Sequence, residues 1–217
     1  MSTYRFLIAD DHPLFRTAIR ETLLHLHADA DILEAQDSDS LLRSLEDQTD
    51  IDLVLLDLNM PGARGFSTLI YLGSHHPEIP VLMISAFDTD DIISRAIGHG
   101  AAGFLSKSSD ISTIANAVSA VLAGNVWVPA STDLSATKNN DDHDLAQRLA
   151  TLTPQQFRVA TMLSEGLLNK QIAYEMHVTE ATIKAHITEI FRKLGVHSRT
   201  QAVLMLSRLE ANPPAPV

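Results

Sequence analysis

The chain has 217 residues, no cysteine, 27 acidic and 16 basic side chains, and a formal net charge of −11. The lack of cysteine excludes disulfides, thiolate–metal sites and cysteine nucleophiles, and the negative charge argues against indiscriminate nucleic-acid binding. No apolar run approaches the roughly 18 residues a membrane span needs, and Met1–Arg5 does not read as a signal peptide, so a soluble, cytoplasmic protein of one or two domains is expected. The charge is unevenly spread: residues 1–150 hold 22 acids and 9 bases, a balance of −13, whereas residues 151–217 hold 7 bases and 5 acids, a balance of +2.

In chain order, Tyr4–Ala9 reads as a strand closing on Asp10-Asp11-His12-Pro13, with Pro13 placed early in a helix where a missing N–H costs nothing. Asp31–Ala35 is a second strand, and Ser38–Glu46 a capped amphipathic helix. Leu53–Leu56 is the apolar core of a strand buried on both faces. Asp57 follows at its end, and Asn59-Met60-Pro61-Gly62 turns the chain away. A Gly65–Gly73 helix, the Pro80–Ser85 strand, an Asp90–Gly98 helix, the Gly103–Ser106 strand and an Asp110–Leu122 helix complete the unit. Strand–helix five times over implies a parallel sheet covered on both faces. The flavodoxin-like order 2-1-3-4-5 is the common one for five such units.

Under that order Asp10 and Asp11 leave the first strand beside Asp57, while Ser85 and Lys107 end the fourth and fifth strands on the same rim. Open α/β sheets bind their ligands there. Clustered carboxylates raise one another's pKa unless a cation shares them. Oxygen donors without cysteine favour a hard ion, Mg²⁺ or Mn²⁺. A lysine and a hydroxyl nearby suit an anion opposite the metal. Together these describe phosphoryl transfer onto an aspartate, with the central Asp57 as the nucleophile. His12 reads as a turn residue over the acidic pair, and His25/His27 and His75/His76 as solvated helix-end residues.

Residues 4–122 resemble the receiver domain of two-component response regulators. Asp10-Asp11, Asp57 with Leu58-Asn59-Met60-Pro61-Gly62, Ser85-Ala86-Phe87 and Gly103-Phe104-Leu105-Ser106-Lys107 carry the likeness. The resemblance implies that Asp57 accepts the phosphoryl group and that Asp10, Asp11, Asp57 and the Asn59 carbonyl hold the metal. It implies that Ser85 and Lys107 bind the phosphoryl oxygens, and that Ser85 and Phe104 switch conformation together. One departure is Ser108 after Lys107, where many receivers carry proline.

Gly124–Ala150 changes character, and the polar run Asn139–Asp144 is expected to be flexible, with a helical turn at Asp144–Leu149. Trp127, the only tryptophan, is expected to pack the start of this linker against the first domain. Beyond it, Thr153 caps a helix that runs to Glu165, Asn169–Met176 is a short helix, Thr179 caps Glu180–Leu194, and Ser198–Leu209 is a fourth. A short helix, a turn and a longer helix are the helix-turn-helix arrangement. Wheel spacing buries Ile183, Ile187, Ile190 and Leu194 and exposes Ala181, Ala185, Thr188 and Arg192, with Lys184 and His186 on the flanks. Lys170, Lys184, Arg192, Lys193 and Arg199 are candidate phosphate partners.

Leu152-Thr153-Pro154, Glu165-Gly166-Leu167, Asn169–Ala173, Thr182–His186, Arg192–Val196 and Ser198–Ala202 resemble, in order and spacing, the LuxR/NarL-type DNA-binding domain. That resemblance implies that Glu180–Leu194 is the recognition helix, that Thr182, Lys184, His186 and Lys193 match positions that contact DNA, and that the last helix is a dimerisation element; with Lys170 on the preceding helix and Ala185, Thr188 and Arg192 on the exposed face, these are the candidate DNA contacts. Gln156 and Leu168 depart from the family pattern, where glutamate and a small hydroxyl residue are usual. The expected division is a receiver at 1–124, a linker at 125–150 and an all-α four-helix domain at 151–217. The expected protein is a transcription regulator, not an enzyme, whose receiver takes part in its own Mg²⁺-dependent phosphorylation. Its expected partners are a cognate histidine kinase, a double-stranded DNA operator and, when active, a second copy of itself; RNA polymerase is a further candidate, and no membrane is involved. The unphosphorylated receiver is expected to cover or misorient the recognition helix. The rivals are an aspartate-nucleophile phosphohydrolase, against which Asn59 stands where such enzymes carry a second aspartate, and a protein-binding role for residues 151–207.

Overall fold

A computed structural model describes residues 3–48, 50–62, 65–133 and 140–210, with the backbone alone at 140–143. Five strands, β1 (Arg5–Ala9), β2 (Asp31–Ala35), β3 (Leu53–Asp57), β4 (Val81–Ser85) and β5 (Gly103–Ser106), alternate with α1 (Pro13–Leu26), α2 (Ser38–Asp47), α3 (Ser67–His75), α4 (Asp90–Gly98) and α5 (Ile111–Leu122). All four pairings are parallel, as the strand–helix alternation led one to expect, and the order is β2-β1-β3-β4-β5, the one common to folds of five such units.

Side-chain alternation along each strand builds two cores. Phe6, Ile8, Leu53, Leu55, Leu82, Ile84 and Leu105 face α1 and α5, packing on Ile19, Leu23, Ile114 and Val118. Leu7, Ala9, Val54, Leu56, Met83 and Phe104 face the other way, against α2, α3 and α4. β3 and β4 are buried along their whole length, which fixes their register and so fixes where Asp57 and Ser85 emerge. Trp127 joins the rim of the sheet. Its backbone bridges Gly103 in parallel, its carbonyl accepts from Phe104 N at 2.8 Å, and its N–H donates to Ala102 O at 3.1 Å.

The second half is helical: α6 (Asn140–Ala150), α7 (Pro154–Ser164), α8 (Asn169–Glu175), α9 (Glu180–Leu194) and α10 (Arg199–Ser207). Thr153 caps α7, accepting from Gln156 N at 3.3 Å while Gln156 Oε1 accepts from Thr153 N at 3.1 Å. Thr179 caps α9, which ends at Gly195 in the left-handed conformation, φ 69°. Leu168 precedes α8 with no side-chain oxygen to offer, so only the Gln171 half of a capping box forms, Gln171 Oε1 accepting from Leu168 N at 2.7 Å.

The expected linker needs correction. Asn140–Asp144, read as flexible, begins helix α6, which runs on to Ala150 and buries Leu145 and Leu149 against α3 and α9. Residues 134–139 of that linker and 211–217 of the last segment lie outside the described residues. Among the described residues no helix is long and apolar enough to cross a membrane.

Candidate functional site

Each site residue sits at a strand end because its strand is pinned. Asp10 N donates to Ala35 O at 3.1 Å as β1 ends, Leu58 N donates to Ile84 O at 3.0 Å just past β3, and Lys107 N donates to Ser85 O at 2.7 Å. The result is a rim on which Asp10 and Asp57 are 1% and 2% exposed, with Asp11 half-buried beside them. Lys107 Nζ reaches across from β5 to Asp10 Oδ2 at 2.7 Å and Asp57 Oδ2 at 3.0 Å. Burial pushes the Asp57 carboxyl above its ordinary value, the Asp10 charge adds to that push, and Lys107 and the Asn59 backbone N–H pull the other way.

Ligand atoms from Asp10, Asp11, Asp57 and His12 lie within 4.8 Å of one another. Three carboxylates face one ammonium here, an excess of negative charge on hard oxygen donors that suits a divalent cation better than it suits the residues alone. His12, exposed at the start of α1, turns its Nδ1 to 2.6 Å from Asp11 Oδ1 and 3.1 Å from Asp10 Oδ1. It therefore lies over the acidic pair as expected, and closer to the oxygens than a plain turn residue need be. Asn59 is exposed in the turn after Asp57.

Ser85 is fully buried, its Oγ accepting from Phe87 N at 3.0 Å. Phe104 is also fully buried, in the α2–α3–α4 core. The Lys107–Ser108 peptide is not cis, and Ser108 instead bonds Ser106 through Oγ–Oγ at 2.8 Å.

Two supporting residues escaped the sequence reading. Arg16 donates from Nη1 to Asp10 O at 2.6 Å and is braced by Glu34 at 3.1 Å, clamping the acidic loop to β2. The Phe15 ring lies beneath Lys107 Nζ, 5.1 Å from centroid to nitrogen. The only sequence signal for either was its place one turn into α1.

On the helical half, Ala181, Lys184, Ala185, Thr188 and Arg192 form the exposed face of α9, with Thr182 and His186 half-buried at its edges. Ile183, Ile190 and Leu194 are buried, and Ile187 only partly. Lys170 is exposed on α8. Lys184 pairs with Glu180 at 3.2 Å and Arg192 with Glu189 at 2.9 Å, both exposed pairs that a polyanion can outcompete. Lys193 and Arg199 depart from the expected phosphate-facing role. Lys193 Nζ donates inward to Thr151 O at 2.6 Å and Gln156 Oε1 at 2.7 Å. Arg199 donates to Leu163 O at 3.2 Å and Leu167 O at 2.6 Å.

A parallel five-stranded sheet with an acidic rim, an apical lysine and a buried hydroxyl, joined to a helix-turn-helix unit, defines a response regulator of transcription. Residues 6–119 match the family described as response regulator receiver domain, and residues 150–206 match bacterial regulatory proteins, luxR family, so the chain belongs to these families. It is 41% identical over 207 residues to the glycerol metabolism activator of Pseudomonas putida, covering 93% of this chain and 94% of that protein. It is 32% identical to the nitrate/nitrite response regulator protein NarP of Escherichia coli, covering 93% and 94%. Among solved structures, a Salmonella typhimurium RcsB response regulator aligns with TM-score 0.57 at 23% identity, covering 96% of this chain and all of that one, which shows the shared fold.

Proposed function

We propose that Asp57 is the phospho-acceptor of this regulator and that its phosphorylation governs DNA binding by the helix-turn-helix domain. The observation that carries the reading is the buried Asp57 carboxylate at the end of β3, beside Asp10 at the end of β1 and paired with Lys107, which reaches across from the end of β5. In the transfer, an Asp57 oxygen attacks phosphorus, the P–N bond to a kinase phosphohistidine breaks, an acyl phosphate forms, and the departing imidazole takes up a proton. Asp10, Asp11 and Asp57, with the Asn59 carbonyl, would hold Mg²⁺ or Mn²⁺, which supplies charge neutralisation at the transferring oxygens. Lys107 pairs with the phosphoryl group and Ser85 turns its hydroxyl from Phe87 N towards it, with Phe104 following.

The receiver spans residues 1–124 and the DNA-binding domain residues 151–217. Lys170, Thr182, Lys184, Ala185, His186, Thr188 and Arg192 contact the duplex, and Lys193 holds the α7 cap in place behind them. Solved structures of RcsB include two dimers bound to two parallel DNAs and an RcsB–DNA complex, which supports a double-stranded operator and a homodimer here. A histidine kinase is the partner the receiver requires.

Intact mass after incubation with Mg²⁺ and a small phosphodonor tests the acceptor. One phosphoryl group on wild type and none on Asp57→Asn is expected; a gain on both would move the acceptor. Binding of a duplex that weakens with salt, and whose salt slope falls in Lys184→Ala, is the expected outcome for the reader domain.

A further inference from the structure

One nitrogen stands among the oxygens of the rim. His12 precedes Pro13, which confines it to extended backbone, φ −91° and ψ 105°. Its backbone N–H donates to Asp10 Oδ1 at 2.7 Å. Arg16 fixes the same loop from the other side, donating to Asp10 O at 2.6 Å. The backbone therefore presents the imidazole to the acidic pair, although the ring itself is 64% exposed.

No single placement of the ring proton satisfies all the neighbours of Nδ1. Asp11 Oδ1 lies 2.6 Å from it, Asp10 Oδ1 3.1 Å and Lys107 Nζ 3.3 Å. An ammonium has only hydrogens to offer, so Lys107 requires a bare Nδ1 with the proton on Nε2. That bare nitrogen then stands against two carboxylate oxygens with no hydrogen between them. A proton on Nδ1 instead serves Asp10 and opposes Lys107. In both cases Asp11 Oδ1, a buried atom, is left without a hydrogen-bond partner. A cation set between the nitrogen and the oxygens removes the conflict, because neutral imidazole binds a metal through its bare nitrogen. The charges agree with this. Three carboxylates and one ammonium leave two negative charges for a divalent ion, and a neutral imidazole adds a donor without altering that balance.

The geometry points to His12 Nδ1 as a ligand of the rim's metal site, which gives this receiver a preference for a borderline first-row ion, Co²⁺, Ni²⁺ or Zn²⁺, over Mg²⁺. This rests on the reading of the rim as a metal site. One atom each from Asp10, Asp11, Asp57 and His12 lies within 4.8 Å of the others, close enough to meet at one ion. His12 brings the one nitrogen among those four. Imidazole suits the later first-row ions, whereas Mg²⁺ takes oxygen ligands and keeps several of its waters. A transition ion therefore loses a favoured bond when the ring is removed, and Mg²⁺ replaces it with water.

Displacement of Mn²⁺ from the full chain tests this. Bound Mn²⁺ loses the sharp EPR signal of the free ion, and the signal returns as a competitor takes the site. Wild type, stripped with chelator and loaded with Mn²⁺, should release it to Co²⁺ at a concentration about a hundredfold below that needed for Mg²⁺. His12→Ala should lower this preference about tenfold or more, since even an outer-shell partner of a metal ligand is worth that much. The Mg²⁺ midpoint should stay where it was. His12→Gln puts an amide oxygen in place of the nitrogen and should lose the preference in the same way. A preference for Co²⁺ that is unchanged in both variants would overturn His12 as a ligand, while Asp11→Asn, which should hold Mn²⁺ poorly, still decides the metal site itself. A wild type that binds no Mn²⁺ would overturn the metal site and the ligand together.

Discussion

Replacing Asp57 by asparagine removes a carboxylate that is 2% exposed and shares Lys107 with Asp10. Two effects oppose each other in the metal-free protein. The ion pair to Lys107 at 3.0 Å is lost, but so are the burial of the charge and its repulsion by Asp10. The carboxyl is held above its ordinary value of 3.8, so burial and repulsion outweigh Lys107. Removing the charge should stabilise the receiver by about 1.4 kcal/mol for each tenfold by which the fold tightens this carboxyl's hold on its proton, or about 4 °C in Tm per kcal/mol for a domain of this size. The pH dependence follows from the same direction of shift. The native receiver keeps the Asp57 proton to higher pH than the unfolded chain does, so stability is full below 3.8 and is lost as pH rises through the native pKa. Asp57→Asn lacks that loss. Its advantage should be near zero in acid and full at neutral pH, as read by thermal melts in chelator across a pH series. A variant less stable than wild type at neutral pH would show that the Lys107 pair dominates, and the electrostatic account of the site would fail.

Adding Mg²⁺ should raise the wild-type Tm by an amount equivalent to about 2.7 kcal/mol at a hundredfold excess over Kd, and Asp11→Asn should abolish most of that gain in the same melt. Lys193→Ala loses donors at 2.6 and 2.7 Å to Thr151 and Gln156, and should cost the helical domain about 1–2 kcal/mol in urea unfolding. Lys184→Ala should leave unfolding unchanged and reduce the salt slope of duplex binding by about 1. Gly103→Ala places a Cβ 2.8 Å from Trp127 O and 2.9 Å from Leu82 Cδ1. It should cost about 1–3 kcal/mol and shift the Trp127 fluorescence as the bridge to β5 loosens.

The receiver was legible because buried parallel strands write themselves as apolar runs, and polar residues at their ends then stand out: Asp10, Asp57, Ser85 and Lys107 each follow or close such a run. Helix α6 was legible only in part: Asp144–Leu149 reads as a helical turn, but its start at Asn140 does not. Its apolar stripe is Leu145 and Leu149 within a polar segment, too thin to distinguish from linker, and it is the neighbouring α3 and α9 that bury them. Lys193 and Arg199 show why charge in a sequence does not assign a partner. A long side chain can fold back onto a carbonyl as readily as it reaches a phosphate, and both of these do. The contact between Gly65 and Leu209 joins residues far apart in the chain, and no local pattern announces it.

The central claim is that one modification, at Asp57, controls the reader domain. The most direct test is duplex affinity of the full chain measured before and after phosphodonor treatment, with the phosphoryl mass read on the same samples, for wild type and Asp57→Asn. The account predicts that wild type gains one phosphoryl group and binds more tightly, while Asp57→Asn gains neither mass nor affinity. Tighter binding by Asp57→Asn on treatment, or a phosphorylated wild type with unchanged affinity, would contradict it.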